Sequence, residues 1–253
     1  MEPKQIYLTR RQRALDAAAW TPRWRQHGRF VRSLPLWDQI RHYEQCGVLP
    51  AEQAGAAAMF GLAEGYDGVG MVWFRSLSAV REALADPTVG SVFEDEKDVF
   101  DDPIADTSVF TREVVFRDTG ATTIKLVGFL RRKPGLTREQ FSEHWEQRHG
   151  PLFLSVPSMD EHVTKYVQNH VIEEYTGVMG ETCDGVVEIG FRDAAAIEAA
   201  FGERYLEVVR PDEERFVDLT TMTVVATDET LLYEDALRPV SDGSEGQQDA
   251  ALD

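Results

Sequence analysis

Two histidines at matching places in the chain are the strongest candidates for chemistry. His149 follows Phe141 and Trp145 at intervals of four residues, so the three side chains share one face of a helix. An imidazole on that apolar face points inward, and a histidine that titrates near neutral pH suits general acid–base catalysis. His27 holds the same position in the other half of the chain. The alternative for either residue is a structural histidine that donates to a backbone carbonyl at the helix end.

A carboxylate interrupts an otherwise apolar stretch, GVVEIGF, at residues 185–191. In a strand, the residues on either side of Glu188 share one face, so its side chain lies on the other face. A buried carboxylate must be paired or have a raised pKa, and either state can serve as an acid or a base. Glu188 is therefore the third candidate catalytic residue. The alternative is a structural ion pair with Arg10 or Arg132.

Aromatic residues and arginines supply a candidate binding site. Four of the five tryptophans lie in the first half of the chain, although each buried indole N–H requires a partner. A pocket with aromatic walls for a flat hydrophobic ligand explains this concentration. Bulky filling of a core built from small alanine-rich helices is the alternative. The candidate substrate-binding residues are Tyr7, Arg10, Trp24, Tyr43, Trp73, Arg132, Trp145 and Tyr166.

The elements that must position these residues form a module that occurs twice. In chain order, the matching pairs are residues 6–11 with 128–133, His27-Gly28 with His149-Gly150, residues 66–75 with 183–192, and Asp95-Glu96 with Asp212-Glu213. The first two pairs share one offset. The patterns of apolar residues give each copy the order β-α-β-β-α-β, which is the split-βαβ, ferredoxin-like module. In the second copy, Thr137 and Gln140 form a capping box at a helix start, and Gly150-Pro151 is expected to end that helix.

The module predicts an α+β architecture. Its antiparallel sheet carries helices on one face only, so the other face must find a partner. In a tandem chain the partner is the other module, and we predict that the two sheets pack as a pseudo-dimeric α+β barrel. The predicted boundaries are 1–119 for the first module and 120–235 for the second. The acidic tail, 236–253, is rich in Ser, Gly and Gln and is expected to be disordered.

Three motifs of the second copy occur together in one known family. They are Leu130-Arg131-Arg132, Trp145-x-x-x-His149-Gly-Pro-Leu and Asp184-Gly-Val-x-Glu188. With these motifs the chain resembles the EthD-like members of the dimeric α+β barrel superfamily, in two tandem copies. The first copy is divergent, because Met71 stands where the second copy has its glutamate. The resemblance implies the fold more firmly than the function, since that superfamily includes isomerases, polyketide cyclases, cofactor-free oxygenases and haem enzymes.

Composition and charge exclude several classes of partner. The chain has 253 residues, with 26 basic and 44 acidic side chains and a net charge of −18. Nucleic acid and anionic membranes both require a basic surface, so neither is expected as a partner. Two cysteines give no disulfide framework and no zinc spacing. The opening residues lack the apolar core of a signal peptide, and we expect a cytoplasmic protein.

These observations favour an enzyme, a cofactor-independent lyase or isomerase. The substrate class is a small hydrophobic, aromatic or polycyclic carbonyl or carboxyl compound, and the reaction is decarboxylation, dehydration or cyclisation. Such reactions share a dry pocket in which one or two groups move a proton. We expect no cofactor and no metal. Two alternatives remain: a cofactor-free or haem-dependent oxygenase, and a non-catalytic ligand-binding protein. The sequence does not decide which of the two modules is active. It also leaves open whether the tandem chain forms a homodimer.

Overall fold

The computed structural model describes residues 1–50, 53–172 and 183–228, together with the backbone of 231–234. The strands are β1 (Pro3–Thr9), β2 (Ile40–Gly47), β3 (Gly68–Phe74), β4 (Ser108–Asp118), β5 (Ile124–Leu130), β6 (Lys165–Val171), β7 (Gly185–Phe191), β8 (Thr223–Asp228) and β9 (Leu231–Glu234). The α-helices are α1 (Ala17–Arg32), α2 (Leu77–Ala85), α3 (Val89–Glu96), α4 (Arg138–His144), α5 (Gly150–Ser155), α6 (Pro157–His162), α7 (Ala194–Ala200) and α8 (Arg210–Phe216). The predicted acidic tail lies outside the described residues.

The strands form one antiparallel sheet that closes into a barrel. Their order is β8-β5-β7-β6-β4-β1-β3-β2-β9. The strands β1–β4 of the first half are neighbours, as are β5–β8 of the second half, and β4 pairs with β6 where the halves join. The ninth strand, β9, follows β8 in the chain and lies at the far edge, beside β2. At the other junction β2 pairs with β9, and Val48 bridges Thr227 of β8. The predicted α+β barrel of two tandem modules is confirmed, and its sheets are joined edge to edge as well as packed face to face.

Alternation along the strands divides the residues between the inside of the barrel and the outer, helix-covered face. Apolar residues of both halves meet inside, among them Ile6, Met71, Val127 and Val186. Outside, each module has its own core between sheet and helices. None of the described helices is long and apolar enough to cross a membrane.

A π turn in the helical segment that carries His149 distinguishes the second copy from the first. Residues Trp145–His149 form the turn, in which the Gly150 N–H donates to the carbonyl of Trp145 five residues back. The turn accommodates one residue more than an α turn, and such turns often occur at functional sites.

The extra residue changes the alignment of the two copies. Strand pairing makes Thr9 equivalent to Leu130. The offset between the copies that the sequence predicts to be constant is therefore wrong by one residue in the first strand.

The capping box at Thr137 and Gln140 is confirmed, but the predicted helix end at Gly150-Pro151 is wrong. There the chain continues directly into α5, and Pro151 occupies the first turn of that helix. The helical hydrogen bonding therefore runs on through the π turn, where the N–H of Gly150 still finds the carbonyl of Trp145.

The repeated Asp-Gly motif has a packing reason. A Cβ atom on Gly68 would lie 2.5 Å from the Trp24 ring, and one on Gly185 would lie 2.4 Å from the Trp145 ring. Each indole therefore rests directly on the backbone of β3 or β7. Gln45 donates to the carbonyl of Trp24 at 3.0 Å, and the equivalent glutamine of β6 does the same for Trp145 at 2.9 Å.

Inside the barrel, a buried network of charges links the two modules. Lys4 contributes an ion pair to Glu188 and one of 3.0 Å to Glu113. Lys125 lies 3.1 Å from both Glu44 and Glu188. Burial raises the pKa of Glu188, but the two ammonium groups outweigh it and hold the pKa well below its ordinary value. Glu188 is thus an ion-paired residue of the barrel interior, as the alternative interpretation held, although its partners are lysines and not the expected arginines.

Separating the two modules should expose the inner face of the sheet. We expect residues 1–119 and 120–253, expressed alone, to be insoluble or to self-associate, because each half would present apolar strand residues that the other covers. Size-exclusion chromatography of each half, beside the full chain, measures this. Two well-behaved monomeric halves would contradict the prediction that each module needs the other to cover its sheet.

Candidate functional site

A pocket in the second module lies between the helices and the outer face of the sheet. It encloses about 620 Å³ of space free of atoms, its open mouth included. Its walls are mostly apolar and aromatic, and include Trp145, Phe153, Tyr166, Ile189, Phe216 and Val224. Such walls suit a hydrophobic ligand.

The first module contributes to this pocket. Phe60 lines it and contacts Phe201 and Tyr205, with ring centroids 4.5 and 6.4 Å apart. Phe60 belongs to a 3-10 turn, Gly55–Phe60, whose Ala57 is fully buried against the core of the second module. The pocket is therefore completed by a segment of the other half of the chain.

His149 stands in this pocket and is held by a carboxylate. Its Nδ1 atom lies 3.0 Å from Oδ2 of Asp212, and only 4% of the residue is exposed. The same carboxylate accepts from Nε2 of His144 at 3.0 Å. The π turn separates the two histidines and lets both reach one carboxylate. Because Nδ1 is engaged by Asp212, Nε2 is the ring nitrogen left to exchange a proton with a ligand.

A second acid adjoins His149. Glu213 lines the pocket next to Asp212 along α8, and the hydroxyl of Tyr205 donates to it at 2.9 Å. Arg210 lies 3.1 Å from the same carboxyl oxygen. Burial raises the pKa of Glu213 above its ordinary value. The pocket therefore places a raised-pKa carboxyl and a histidine side by side among apolar walls.

The first module has a pocket of the same kind, which encloses about 660 Å³ of space free of atoms with its mouth. There Nδ1 of His27 lies 2.7 Å from Oδ2 of Asp95. Arg23 also binds that carboxylate, at 2.6 Å to its other oxygen. Burial lowers the pKa of His27 from its ordinary value despite the carboxylate, and the guanidinium of Arg23 adds to this. His27 is thus a weaker base than an exposed histidine.

The acidic residue of this first pocket differs from its counterpart in the second. Glu96 is 8% exposed and lines the pocket, and no hydrogen bond to its carboxyl is formed by the described residues. Burial, and after it the charge of Asp95, raise the pKa of Glu96 to about 8. Opposite stand Tyr7 and Tyr43, whose hydroxyls are 2.8 Å apart.

The raised pKa of Glu96 predicts a loss of stability with rising pH. The folded protein keeps this proton up to about pH 8, whereas the unfolded chain releases it near 4.5. Between those values the native state binds more protons, so this carboxyl lowers the free energy of unfolding by up to about 1.4 kcal/mol for each pH unit gained. Urea denaturation at pH 6 and 7 should show that stability changes more negatively with pH in the wild type than in Glu96→Gln, which removes this contribution. The exposed Glu94→Gln serves as the control, and equal slopes in wild type and Glu96→Gln would contradict the prediction.

The structure brings six of the eleven predicted site residues into the two pockets. His149, Trp145 and Tyr166 line the second-module pocket, and His27, Tyr7 and Tyr43 line the first-module pocket. Trp24 stacks on Trp20 at 4.7 Å and lines neither of them.

Four of the predicted residues belong elsewhere. Glu188 and Trp73 face the barrel interior, where Lys4 stands 4.2 Å from the centre of the Trp73 ring. The two arginines are paired near the surface, Arg10 with Asp102 at 2.8 Å and Arg132 with Asp184. Strand alternation explains Trp73 and Glu188, which stand on the face of their strands opposite the pockets.

The acidic partners of the histidines were missed as site residues. Asp95-Glu96 and Asp212-Glu213 were recognised only as a match between the copies. The signal was available, because an acidic pair repeated at equivalent positions in both copies, together with a repeated histidine, indicates that the three side chains act together. The described residues contain no group of three or more His, Cys, Asp or Glu side chains that could hold a metal ion.

Solved structures of similar fold cover almost the whole chain. A protein described as anthrone oxidase-like has a TM-score of 0.57 at 8% identity, with 92% of this chain and 94% of that one covered. A candidate monooxygenase from Lactobacillus acidophilus NCFM has a TM-score of 0.51 at 13% identity, with 91% and 94% covered. A mutant chlorite dismutase from Candidatus Nitrospira defluvii, in complex with cyanide, has a TM-score of 0.51 at 11% identity, with 91% of each chain covered. At these identities the likeness shows a shared fold.

Comparison with sequence families gives a more specific result. No curated protein matches the chain significantly. The EthD domain matches it twice, over residues 12–103 and 133–220, which together make up more than half of its length. Each match contains one histidine–carboxylate pair, His27 with Asp95 and His149 with Asp212. The chain therefore belongs to the EthD domain family, with two copies of the domain in tandem.

Proposed function

We propose that the protein is a cofactor-independent lyase or isomerase that moves protons on a hydrophobic, aromatic or polycyclic carbonyl compound in the second-module pocket. One observation carries this proposal: His149, held at Nδ1 by Asp212, stands beside the raised-pKa carboxyl of Glu213 among apolar walls. Paired titratable groups in one dry pocket are suited to acid–base work.

The first step would be removal of a proton from a carbon that is next to the substrate carbonyl or conjugated with it through an aromatic ring. Nε2 of His149 would accept that proton, and the resulting imidazolium would be stabilised by Asp212 through Nδ1. The electron pair of the broken C–H bond would pass to the carbonyl oxygen as an enolate. Apolar walls exclude water from this charge, and a hydroxyl donor such as Tyr166 would stabilise it. Burial raises the pKa of Tyr166, so its hydroxyl stays protonated.

The second step would return a proton. Glu213, whose pKa burial raises above its ordinary value, would deliver that proton to a leaving oxygen in dehydration or to a different carbon in isomerisation. The acid and the base would then regain their starting states through the solvent at the pocket mouth. Which of these outcomes follows depends on the substrate.

Hydrogen exchange in deuterated water tests the proton transfer without knowledge of the natural substrate. Anthrone and 1-tetralone are fused-ring ketones whose acidic C–H bonds exchange measurably by NMR. We expect the protein to accelerate the exchange of at least one of them under anaerobic conditions. Binding without accelerated exchange would contradict the proposal and favour a ligand-binding protein.

A cofactor-free oxygenase is the second candidate, and the names of two proteins of similar fold, an anthrone oxidase-like protein and a candidate monooxygenase, favour it. It would share the first step and differ in the fate of the enolate, which would react with dioxygen. Oxygen consumption with anthrone, above the rate without protein, would indicate this activity. An absorption spectrum of the purified protein distinguishes a haem-dependent version.

A further inference from the structure

The first-module pocket contains a polar group that the proposed reaction does not use. Glu96 stands in its wall with 8% of the residue exposed, and the described residues form no hydrogen bond to its carboxyl. Its counterpart Glu213 accepts from Tyr205 and pairs with Arg210. Because the carboxyl borders the cavity and no described residue bonds to it, it is available to form a hydrogen bond with a ligand that enters the cavity.

The surroundings of Glu96 determine the charge of such a ligand. The ionisable groups that face it are Asp95 on its own helix, His27 of α1, Tyr7 of β1 and Tyr43 of β2. Two of them carry no charge at neutral pH, because burial raises the pKa of Tyr43 to about 12 and lifts that of Tyr7 well above its usual value. Burial lowers the pKa of His27, which favours the neutral ring. No lysine or arginine is among the described residues that line this pocket.

The surroundings of Glu96 also determine the polarity of the ligand. A carboxyl whose pKa is about 8 is protonated at neutral pH and donates its O–H. Arg23 pairs with the charge of Asp95, which does not line the pocket, and no lining cation would attract an anionic ligand, so an uncharged ligand is favoured. The remaining walls are apolar and include Val31, Leu36, Val72 and Ile104.

We infer that the first-module pocket is a second ligand site, which binds an uncharged hydrophobic molecule whose carbonyl oxygen accepts a hydrogen bond from Glu96. Its occupation does not depend on catalysis by the second module. The two pockets would then differ in selectivity, because Arg210 lines the second and can attract an anion, whereas the first has only neutral donors and acceptors.

Calorimetric titration of the full chain with 1-tetralone tests this site. At pH 6.5 we expect Glu96→Leu to weaken one binding step about tenfold, which corresponds to the loss of one hydrogen bond. Glu96→Gln should bind within about twofold of the wild type, because its amide also donates. Tetralin, which lacks the carbonyl, should bind the wild type about tenfold more weakly than 1-tetralone does. The affinity of tetralin should be the same for the wild type and for Glu96→Leu.

The pH dependence gives a second, independent readout. Ionisation of Glu96 removes its donor, so 1-tetralone should bind the wild type about tenfold more weakly at pH 9 than at pH 6.5. Glu96→Gln has no proton to lose and should bind equally at both pH values. This comparison stands even where Glu96→Leu alters folding, which the melting temperature of each variant reports.

Matched controls separate this site from the second-module pocket. Glu213→Gln should leave the Glu96-dependent step unchanged, and 1-naphthoate, the anionic probe, should not displace 1-tetralone from it. Equal binding of 1-tetralone and tetralin, a pH effect that persists in Glu96→Gln, or displacement by 1-naphthoate would each overturn the inference. Since the readout is binding, a protein without hydrogen-exchange activity could still confirm it.

Discussion

Replacing His149 with alanine should slow the hydrogen exchange of the fused-ring ketone by about 10²–10⁴-fold, which is the usual contribution of a general acid–base group. The substitution removes Nε2, the only ring nitrogen not engaged by Asp212. Asp212→Asn should also slow the exchange, because an amide that donates to Nδ1 would favour the other tautomer of the ring. Exchange rate and melting temperature are measured side by side for each variant.

His27→Ala is the matched control for this prediction. His27 has a similar burial, 3% against 4%, and the same carboxylate contact at Nδ1. Its base strength is reduced by burial and by Arg23, so we expect its loss to leave the exchange largely intact. The active pocket would be that of the first module if His149→Ala kept nearly full exchange while His27→Ala lost it with an unchanged melting temperature.

Replacing Lys4 with methionine should lower the free energy of unfolding by about 3–5 kcal/mol, the usual cost of breaking a buried ion pair on one side. Lys4 is fully buried, and its removal takes one of two ammonium groups from Glu188, which keeps an ion pair with Lys125 and an amide donor from Asn169. The source of the cost is an excess of buried negative charge, because Glu44 and Glu188 would then share the single ammonium group of Lys125. Urea denaturation at pH 7 measures it.

Two further variants define this effect. Lys97→Met removes an exposed ion pair with Glu94 and should change stability by less than about 0.5 kcal/mol. The double variant Lys4→Met with Glu188→Gln removes both charges and should be more stable than Lys4→Met alone. A Lys4→Met protein as stable as Lys97→Met would show that the network contributes little.

The repeat made most of the fold predictable, because it defined the module and its unpartnered sheet face. Thr137 and Gln140 located a helix start through a local rule that holds without tertiary context. The π turn was not predictable, since a one-residue insertion within a helix leaves the apolar pattern nearly unchanged. The lysines of the interior were also missed, because a lysine in a strand is ordinarily exposed and only the closed barrel buries it.

The site was predictable where helix periodicity determined direction. The spacing of Phe141, Trp145 and His149 placed that histidine on the inner face, where the structure has it. The aromatic content of the first half was a less reliable guide to the residues that line the pocket. Trp73 faces the barrel interior, and Trp24 packs against Gly68 and does not line the pocket. The number of aromatic residues does not show which face of a strand or helix each one occupies. The repeated Asp-Glu pair, in contrast, would have identified the carboxylate partner of each histidine.

The tandem arrangement has a consequence for how the two pockets can change during evolution. In a barrel assembled from two identical chains, every substitution appears twice, and both pockets must tolerate it at once. Here the acids of the two pockets are separate residues, so they can differ: Glu213 contacts Tyr205 and Arg210, whereas Glu96 has no hydrogen bond from the described residues. In a single gene, one pocket can therefore stay unchanged while the other changes to bind a different ligand. An experimenter can likewise redesign either pocket and use the unaltered one as an internal reference.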